Sequence, residues 1–245
     1  LYLKNSRHDV SVLSGFKKIA DQFDYRKGMI LDDLKQSGFV LEDFEIIAGR
    51  GGSLKPIEGG VYRVNEAMLN DIRNPMGEHE SNLGGAIANA IAQEIGNGVY
   101  AIIVDPTCVD EMQDVARITG MPELTRISFL HALNQKVIAR TYAGELSRKY
   151  EDLKLIVAHL GGGISIGAHS GGRIIDVNNA LNGDGPMTPE RSGGVPAGPL
   201  VELCFLGKFS KEDILKKLKG QGGLLAYLGT SDAQEIEYKI NSGDK

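Results

Sequence analysis

The sequence offers little for a membrane, a nucleic acid or an oxidising compartment to act on. It has only two cysteines, Cys108 and Cys204, far apart and without metal-ligand spacing, which excludes a disulfide framework and a structural zinc site. Both read as small buried hydrophobes. No apolar run approaches the roughly 18 unbroken residues of a membrane span. The 27 Lys+Arg and 32 Asp+Glu are scattered, leaving a net charge of −5, so there is no basic stripe for nucleic acid and no charged interaction tail. Proline is also sparse, at 8 of 245 residues, which argues against a disordered or fibrous chain. A reducing, cytoplasmic setting is the expectation, with no nucleic acid or membrane among the partners.

What is abundant is glycine. The 32 glycines make up about 13% of the chain, against a usual ~7%, and follow no fixed repeat. Many are paired or tripled: Gly51-Gly52, Gly59-Gly60, Gly84-Gly85, Gly161-Gly162-Gly163, Gly193-Gly194 and Gly222-Gly223. Adjacent glycines let a backbone turn tightly and approach a ligand closely. Several such loops in a chain that is 42% hydrophobic point to a globular protein cradling an anion.

Hydrophobic periodicity predicts mixed α/β layers. Val12, Phe16, Ile19, Ala20 and Phe23 fall at helical spacing, and a second short helix is expected over 27–37. Phe44 to Ala48 reads as a strand running into the loop around Arg50. Ser81 and Asn82 are suited to cap a small-residue helix ending near Ile95. Val99 to Val104 is a buried strand that ends at Asp105, and a long helix over about 127–149 carries His131. The strand pattern then restarts with Leu155 to Leu160, followed by a glycine loop and a hairpin. The boundary is therefore expected between 1–149 and 150–245. Ser210 and Asp213 form a capping box for a later helix.

The chemistry-bearing residues cluster around glycine. In His159-Leu-Gly161-Gly162-Gly163-Ile-Ser165, a glycine turn between two strands exposes N–H groups toward one point, which suits an anion. A plain tight turn would look the same. The pattern is neither a P-loop nor a dinucleotide fingerprint. His159 reads either as a phosphate donor or as a buried ring holding a carbonyl. His131, in an apolar helix, and His79, ahead of a helix, have equally bland readings; His8 and His169 look exposed and receive no role. Arg50 and Arg191 flank glycine pairs, where a planar guanidinium can grip phosphate or carboxylate, or simply form a surface ion pair. Asp105 ends a strand, where open α/β sheets place ligand residues, or else caps a helix. Together these groups describe charge neutralisation around a phosphoryl group. No activated nucleophile stands out. An acceptor that is already anionic, such as a carboxylate, needs no general base.

The stretch from His159 to Arg191 (HLGGGISIGAHSGGRIIDVNNALNGDGPMTPER) and the segment from Gly222 to Asp232 (GGLLAYLGTSD) closely resemble the butyrate kinases and branched-chain fatty acid kinases, within the acetate kinase family. The segments 49–62 (GRGGSLKPIEGGVY), 77–85 (GEHESNLGG), 104–112 (VDPTCVDEM) and 129–136 (FLHALNQK) carry the same likeness. The resemblance implies a two-domain actin-like, sugar-kinase-like α/β fold, incomplete at both termini, that binds ATP between its domains. It also implies a kinase that moves the ATP γ-phosphoryl group reversibly to a short-chain, butyrate-like carboxylate with Mg²⁺. The partners are then ATP or ADP, the acid or its acyl phosphate, and a further copy of the chain in a homo-oligomer. His159 and Gly161, Gly162 and Gly163 match the family's second phosphate motif, and Arg191 matches the arginine that stabilises the transferred group. His131 matches a catalytic histidine, and Asp105 an aspartate that positions ATP–Mg and substrate. His79 matches a histidine before the substrate-side helix. Leu130 stands where the family usually has an aromatic residue beside the acid.

The match has departures. Arg50, the candidate substrate clamp, directly precedes its glycine pair, whereas acetate kinases place that arginine four residues earlier, after a histidine. The family's first phosphate loop and its adenosine loop have no counterpart here. A non-catalytic ATP-binding protein of the same fold is the main alternative, and a carbamoyl- or sugar-transfer enzyme a third. With one phosphate loop of two, residues 1–245 alone are expected to bind ATP weakly and to make no acyl phosphate detectable by hydroxylamine trapping. Robust turnover by this chain would contradict that expectation.

Overall fold

The computed structural model describes residues 2–73 and 79–243. Of the 77–85 motif, Gly77 and Glu78 lie outside the described residues. The chain forms two compact units, one made of residues 1–55 and 60–107 and the other of residues 56–59 and 108–245. The sheet that follows the restart of the strand pattern near residue 150 begins at Lys154, inside the second unit. Among the described residues, no helix is long and apolar enough to cross a membrane.

The first unit opens with α1 (Val10–Leu13) and α2 (Phe23–Gln36). The single helix expected over 12–23 does not form. Ser14 and Gly15 are poor helix formers, and the Ser14 hydroxyl instead bonds the Ser11 carbonyl at 2.8 Å. A fresh 3₁₀ turn starts at Ile19, where the Asp21 carboxylate accepts the Lys18 N–H at 3.0 Å. Next come β1 (Ile46–Gly49), β2 (Val61–Arg63), α3 (Glu66–Arg73), α4 (Asn82–Ile95) and β3 (Tyr100–Val104). The sheet order is β1-β3-β2, with β1 parallel to β3 and β2 antiparallel to it. Leu83, Ile87 and Ile91 on one face of α4 bury against Ile47 of β1 and against Phe23 and Leu31 of α2. α4 also approaches the end of β1 so closely that a methyl at Gly84 would strike the Arg50 backbone.

The second unit holds α5 (Ala132–Glu145), then β4 (Lys154–Leu160), β5 (Ile164–Ser170) and β6 (Arg173–Val177) as an antiparallel meander in the order β4-β5-β6. It closes with α6 (Ala197–Phe205), α7 (Lys211–Leu218), α8 (Gly223–Leu228) and α9 (Ala233–Asn241). The capping box at α7 forms as expected, with the Ser210 hydroxyl accepting the Asp213 N–H at 3.1 Å and the Asp213 carboxylate accepting the Ser210 N–H at the same distance. α5 is shorter than the helix expected over 127–149, because residues before it pair elsewhere. Ser128 donates to the Val109 carbonyl and Phe129 accepts from the Ala180 N–H, leaving His131 at the N-cap. Cys108 is buried as expected, but Cys204 is exposed because it lies on an open face of α6.

The core beneath β6 comprises Val109, Met112, Leu130, Ala132, Ile174 and Val177. Beside it, Lys136 and Glu111 form an ion pair at 2.7 Å, with side chains 3% and 4% exposed. Burial pushes the Glu111 carboxyl up, but hydrogen bonds from Lys136 and from the N–H groups of Ile174 and Gly59 outweigh it and hold the group below the usual range. Removing one charge strands the other, so Lys136→Met is expected to destabilise the fold by about 3–5 kcal/mol. The double change Lys136→Met with Glu111→Leu should recover most of that loss in urea denaturation.

Candidate active site

The expected site residues fall into two groups, one in each unit. In the first unit, β3 delivers Asp105 to its C-terminal end with the side chain 1% exposed and φ at +38°. Non-glycine residues seldom adopt that conformation, and such strain gathers at functional positions. Here it is held by the Gly60 backbone, whose N–H donates to Asp105 Oδ1 at 2.8 Å and whose carbonyl accepts the Asp105 N–H at 3.0 Å. Arg50 is exposed just beyond β1 and shares a groove of about 860 Å³ with His79. Ile47, Leu83, Ile87 and Ile91 supply the apolar side of that groove.

His79 does more than precede α4. Its Nδ1 accepts the Ser81 N–H at 3.1 Å and lies 2.8 Å from the Ser81 hydroxyl. Ser81 takes the N-cap position, yet its side chain makes no cap bond. Asn82 is also diverted, with its Oδ1 accepting the Ser53 N–H at 2.8 Å. Both expected capping side chains are thus spent on holding the adjacent loops.

In the second unit, Leu160 pairs with Ile164 across Gly161–Gly163, so the glycines form the tip of the β4–β5 hairpin. His159, one residue before the turn, stacks on His131 with ring centroids 3.8 Å apart and planes 10° from parallel. Its Nδ1 lies 3.1 Å from Asn134 Oδ1. A methyl on Gly161 would meet His159 Nε2 at 3.1 Å, which places the ring against the loop.

Arg191 reaches the same loop from downstream. A side chain at Gly163 would collide with its guanidinium, which also donates to the Ala180 carbonyl. Thr188 staples the two segments together. Its hydroxyl donates to the Gly162 carbonyl at 2.7 Å and accepts the N–H groups of Glu190 and Arg191 at 3.2 and 3.0 Å. Burial lowers the proton affinity of Arg191 and Glu190 raises it, though a guanidinium stays charged throughout. The unit therefore gathers the glycine tip, two stacked imidazoles and a half-buried cation. Leu130, expected beside the acid, is instead 1% exposed within the core, packed with Val109, Met112 and Ile174.

The reading of His8 and His169 as exposed is corrected. His8 is half-buried, with ring nitrogens against Met29 Sδ and Arg26. His169 is 2% exposed and lies between Tyr150 and Gln135, because alternation along β5 turns Ser165, Gly167 and His169 to the same buried face. The signal was available: three residues at a period of two, facing the apolar helix of His131 and Gln135. Burial pushes the His169 imidazole down to about 4, with Lys136 adding to the effect and Glu111 opposing it. The unfolded chain would then bind the proton more tightly, near the ordinary value of about 6.5. Stability on this account is complete above about pH 6.5 and falls as pH drops toward 4. The loss should reach on the order of 2 kcal/mol at pH 5. His169→Gln should flatten this decline when urea midpoints are compared at pH 7 and pH 5.

Three comparisons with known proteins bear on this arrangement. A family model described as the acetokinase family matches residues 123–245. Butyrate kinase 2 of Clostridium acetobutylicum is 54% identical over 239 residues, covering 97% of this chain and 67% of that protein. Butyrate kinase 1 of the same organism is 50% identical over 246 aligned positions, covering 100% of this chain and 69% of its own length. Among solved structures, acetate kinase of Porphyromonas gingivalis matches with a TM-score of 0.74 at 22% identity, over 89% of this chain and 58% of that one. A propionate kinase of Francisella tularensis matches with a TM-score of 0.68 at 23% identity over the same shares. The chain thus spans about two thirds of the length of the butyrate kinases and less of the solved structures, whose likeness fixes the α/β fold.

Proposed function

The chain belongs to the acetokinase family, and from that premise we propose that the protein is a carboxylate kinase acting on a short-chain, butyrate-like acid. A carboxylate oxygen attacks the γ-phosphorus of ATP and the bond to the β–γ bridging oxygen breaks, giving acyl phosphate and ADP. The reverse reaction returns the phosphoryl group to ADP. The observation that carries this reading is the packing of Arg191 against Gly163, on a loop pinned by Thr188. A preorganised guanidinium beside a turn of backbone N–H groups suits charge on equatorial phosphoryl oxygens, which is what phosphoryl transfer requires of a protein.

Roles follow from chemistry. Gly161, Gly162 and Gly163 with His159 hold ATP phosphates, Arg191 neutralises the moving phosphoryl group, and His131 contacts it. Asp105 orients ATP–Mg, while Arg50 and His79 attend the acid. A Mg²⁺ ion bound with the nucleotide would supply neutralisation of phosphate charge, and Asp105 is the residue that would help hold it. Such ions are held by one or two carboxylates plus phosphate oxygens, so a strand-end aspartate fits the need. Among the described residues, no group of three His, Cys, Asp or Glu could hold a metal by itself. Leu130, buried in the core one residue before His131, acts through that core and not by touching the acid. A binding-only protein of this fold would have less use for a half-buried arginine packed against the glycine turn.

Hydroxylamine trapping of acyl phosphate across a series of acids, in the protein at its natural length, tests the reaction directly. Arg191→Ala is expected to lower kcat by roughly 10²–10³-fold, about 3–4 kcal/mol, with a much smaller rise in KM for the acid. A near-normal kcat would remove Arg191 from the reaction and leave it a structural ion.

A further inference from the structure

Behind His131 lies a chain of buried polar groups that the kinase reading does not use. The His131 Nδ1 is 3.0 Å from the Ser165 hydroxyl, and the His131 backbone N–H donates to the same oxygen at 3.3 Å. Gln135 Nε2 donates to Ser165 Oγ at 2.8 Å and to the Ser165 carbonyl at 3.0 Å. Gln135 Oε1 is 2.9 Å from His169 Nε2, and His169 Nδ1 is 2.7 Å from the Tyr150 hydroxyl. Ser165 and Gln135 are wholly buried, and His169 and Tyr150 nearly so.

Hydrogen-bond valence orients every member of this series. A backbone carbonyl can only accept, so the Ser165 carbonyl forces the amide nitrogen of Gln135 toward it and the amide oxygen toward His169. His169 must then donate from Nε2, and Tyr150 donates to the remaining lone pair on Nδ1. The depressed basicity of His169 keeps it in that neutral form. At the other end, Ser165 Oγ has two lone pairs and one proton. The amide of Gln135 and the backbone N–H of His131 fill the lone pairs. A third donor would oversubscribe the oxygen and strand its own proton in a buried site, so the hydroxyl donates to His131 Nδ1.

We propose that Tyr150, His169, Gln135 and Ser165 form a relay that locks His131 as the neutral imidazole with its proton on Nε2. Resting on the kinase reading, this makes His131 a hydrogen-bond donor to a phosphoryl oxygen and not a proton acceptor. That suits an acceptor acid with no proton to lose. Ser165, Gln135 and His169 are then positioning residues. The backbone is shaped for the relay as well. Ser165, Gly167 and His169 alternate along one face of β5, while His131 and Gln135 stand one helical turn apart. Gly167 sits between the two ends of the relay, where a methyl would run into Gln135 Oε1 and approach His169 Nε2 at 3.1 Å. A side chain there would break the chain at its centre.

The relay is tested by ring-nitrogen spectroscopy on the 15N-histidine-labelled chain, where long-range 1H–15N correlations report which nitrogen bears a proton. The His131 signals, identified by their loss in His131→Asn, are expected to show a bare Nδ1 and a protonated Nε2 at pH 7. Ser165→Ala and Gln135→Met should each convert this to a mixture of tautomers. In the protein at its natural length they should lower kcat by roughly 10–100-fold, the range typical when the group that orients a metal-ligating histidine is lost. The KM for ATP should change little. A proton on Nδ1 in the unaltered protein overturns the relay, as does an unchanged Nε2–H signature in Ser165→Ala. If the variants do not fold, the spectrum of the unaltered chain still decides. Because that spectrum needs no substrate, an intact signature together with no acyl phosphate from the protein at its natural length would sink the kinase reading alone.

Discussion

Glu111 keeps a negative charge with almost none of its side chain in water, and much of the second unit is arranged around that fact. Its two oxygens accept from the backbone of Gly59, from the backbone of Ile174 and from Lys136. One carboxylate thereby ties the short 56–59 segment to β6 and to α5. A buried charge of this kind is tolerated only when its lone pairs are filled and a counter-ion is close. The consequence is local rigidity. α5 is held against the meander by an interaction that cannot be partly broken at low cost, and α5 is the helix that presents His131 and Gln135.

The glycines make sense in the same terms. Gly161 and Gly163 sit at a turn, but what crowds them is protein: the His159 ring at one, the Arg191 guanidinium at the other. Gly167 makes room for Gln135 and Gly84 for the Arg50 backbone. Close approach of the chain to itself accounts for much of the glycine excess. Only around Gly162, which is exposed with Glu190 at 3.9 Å from a would-be methyl, does the loop leave open space. The glycine tip proposed to hold phosphate therefore rests on a backbone clamped from several sides, which is the preorganisation that charge stabilisation requires.

Local pattern by itself determined the strand expected over 99–104 and found at Tyr100–Val104, the strand expected over 155–160 and found at Lys154–Leu160, the glycine hairpin and the capping box at Ser210, while Arg191, His131 and His159 were singled out only with the help of the family resemblance. The elements follow from short-range rules: alternation, turn composition and side-chain chemistry. Helix limits were less legible. A helical pattern over 12–23 yielded to a Ser-Gly turn, and the expected start near 127 yielded to pairing of Ser128 and Phe129 with distant carbonyl and amide groups. Tertiary structure alone decided that His169 is a buried partner of Gln135, that His79 holds the Ser81 turn and that His131 stacks on His159. Those outcomes depend on which strand face meets which helix. A sequence carries the period of a face but not its partner, and hydrogen-bond valence acts only once the partners are in contact.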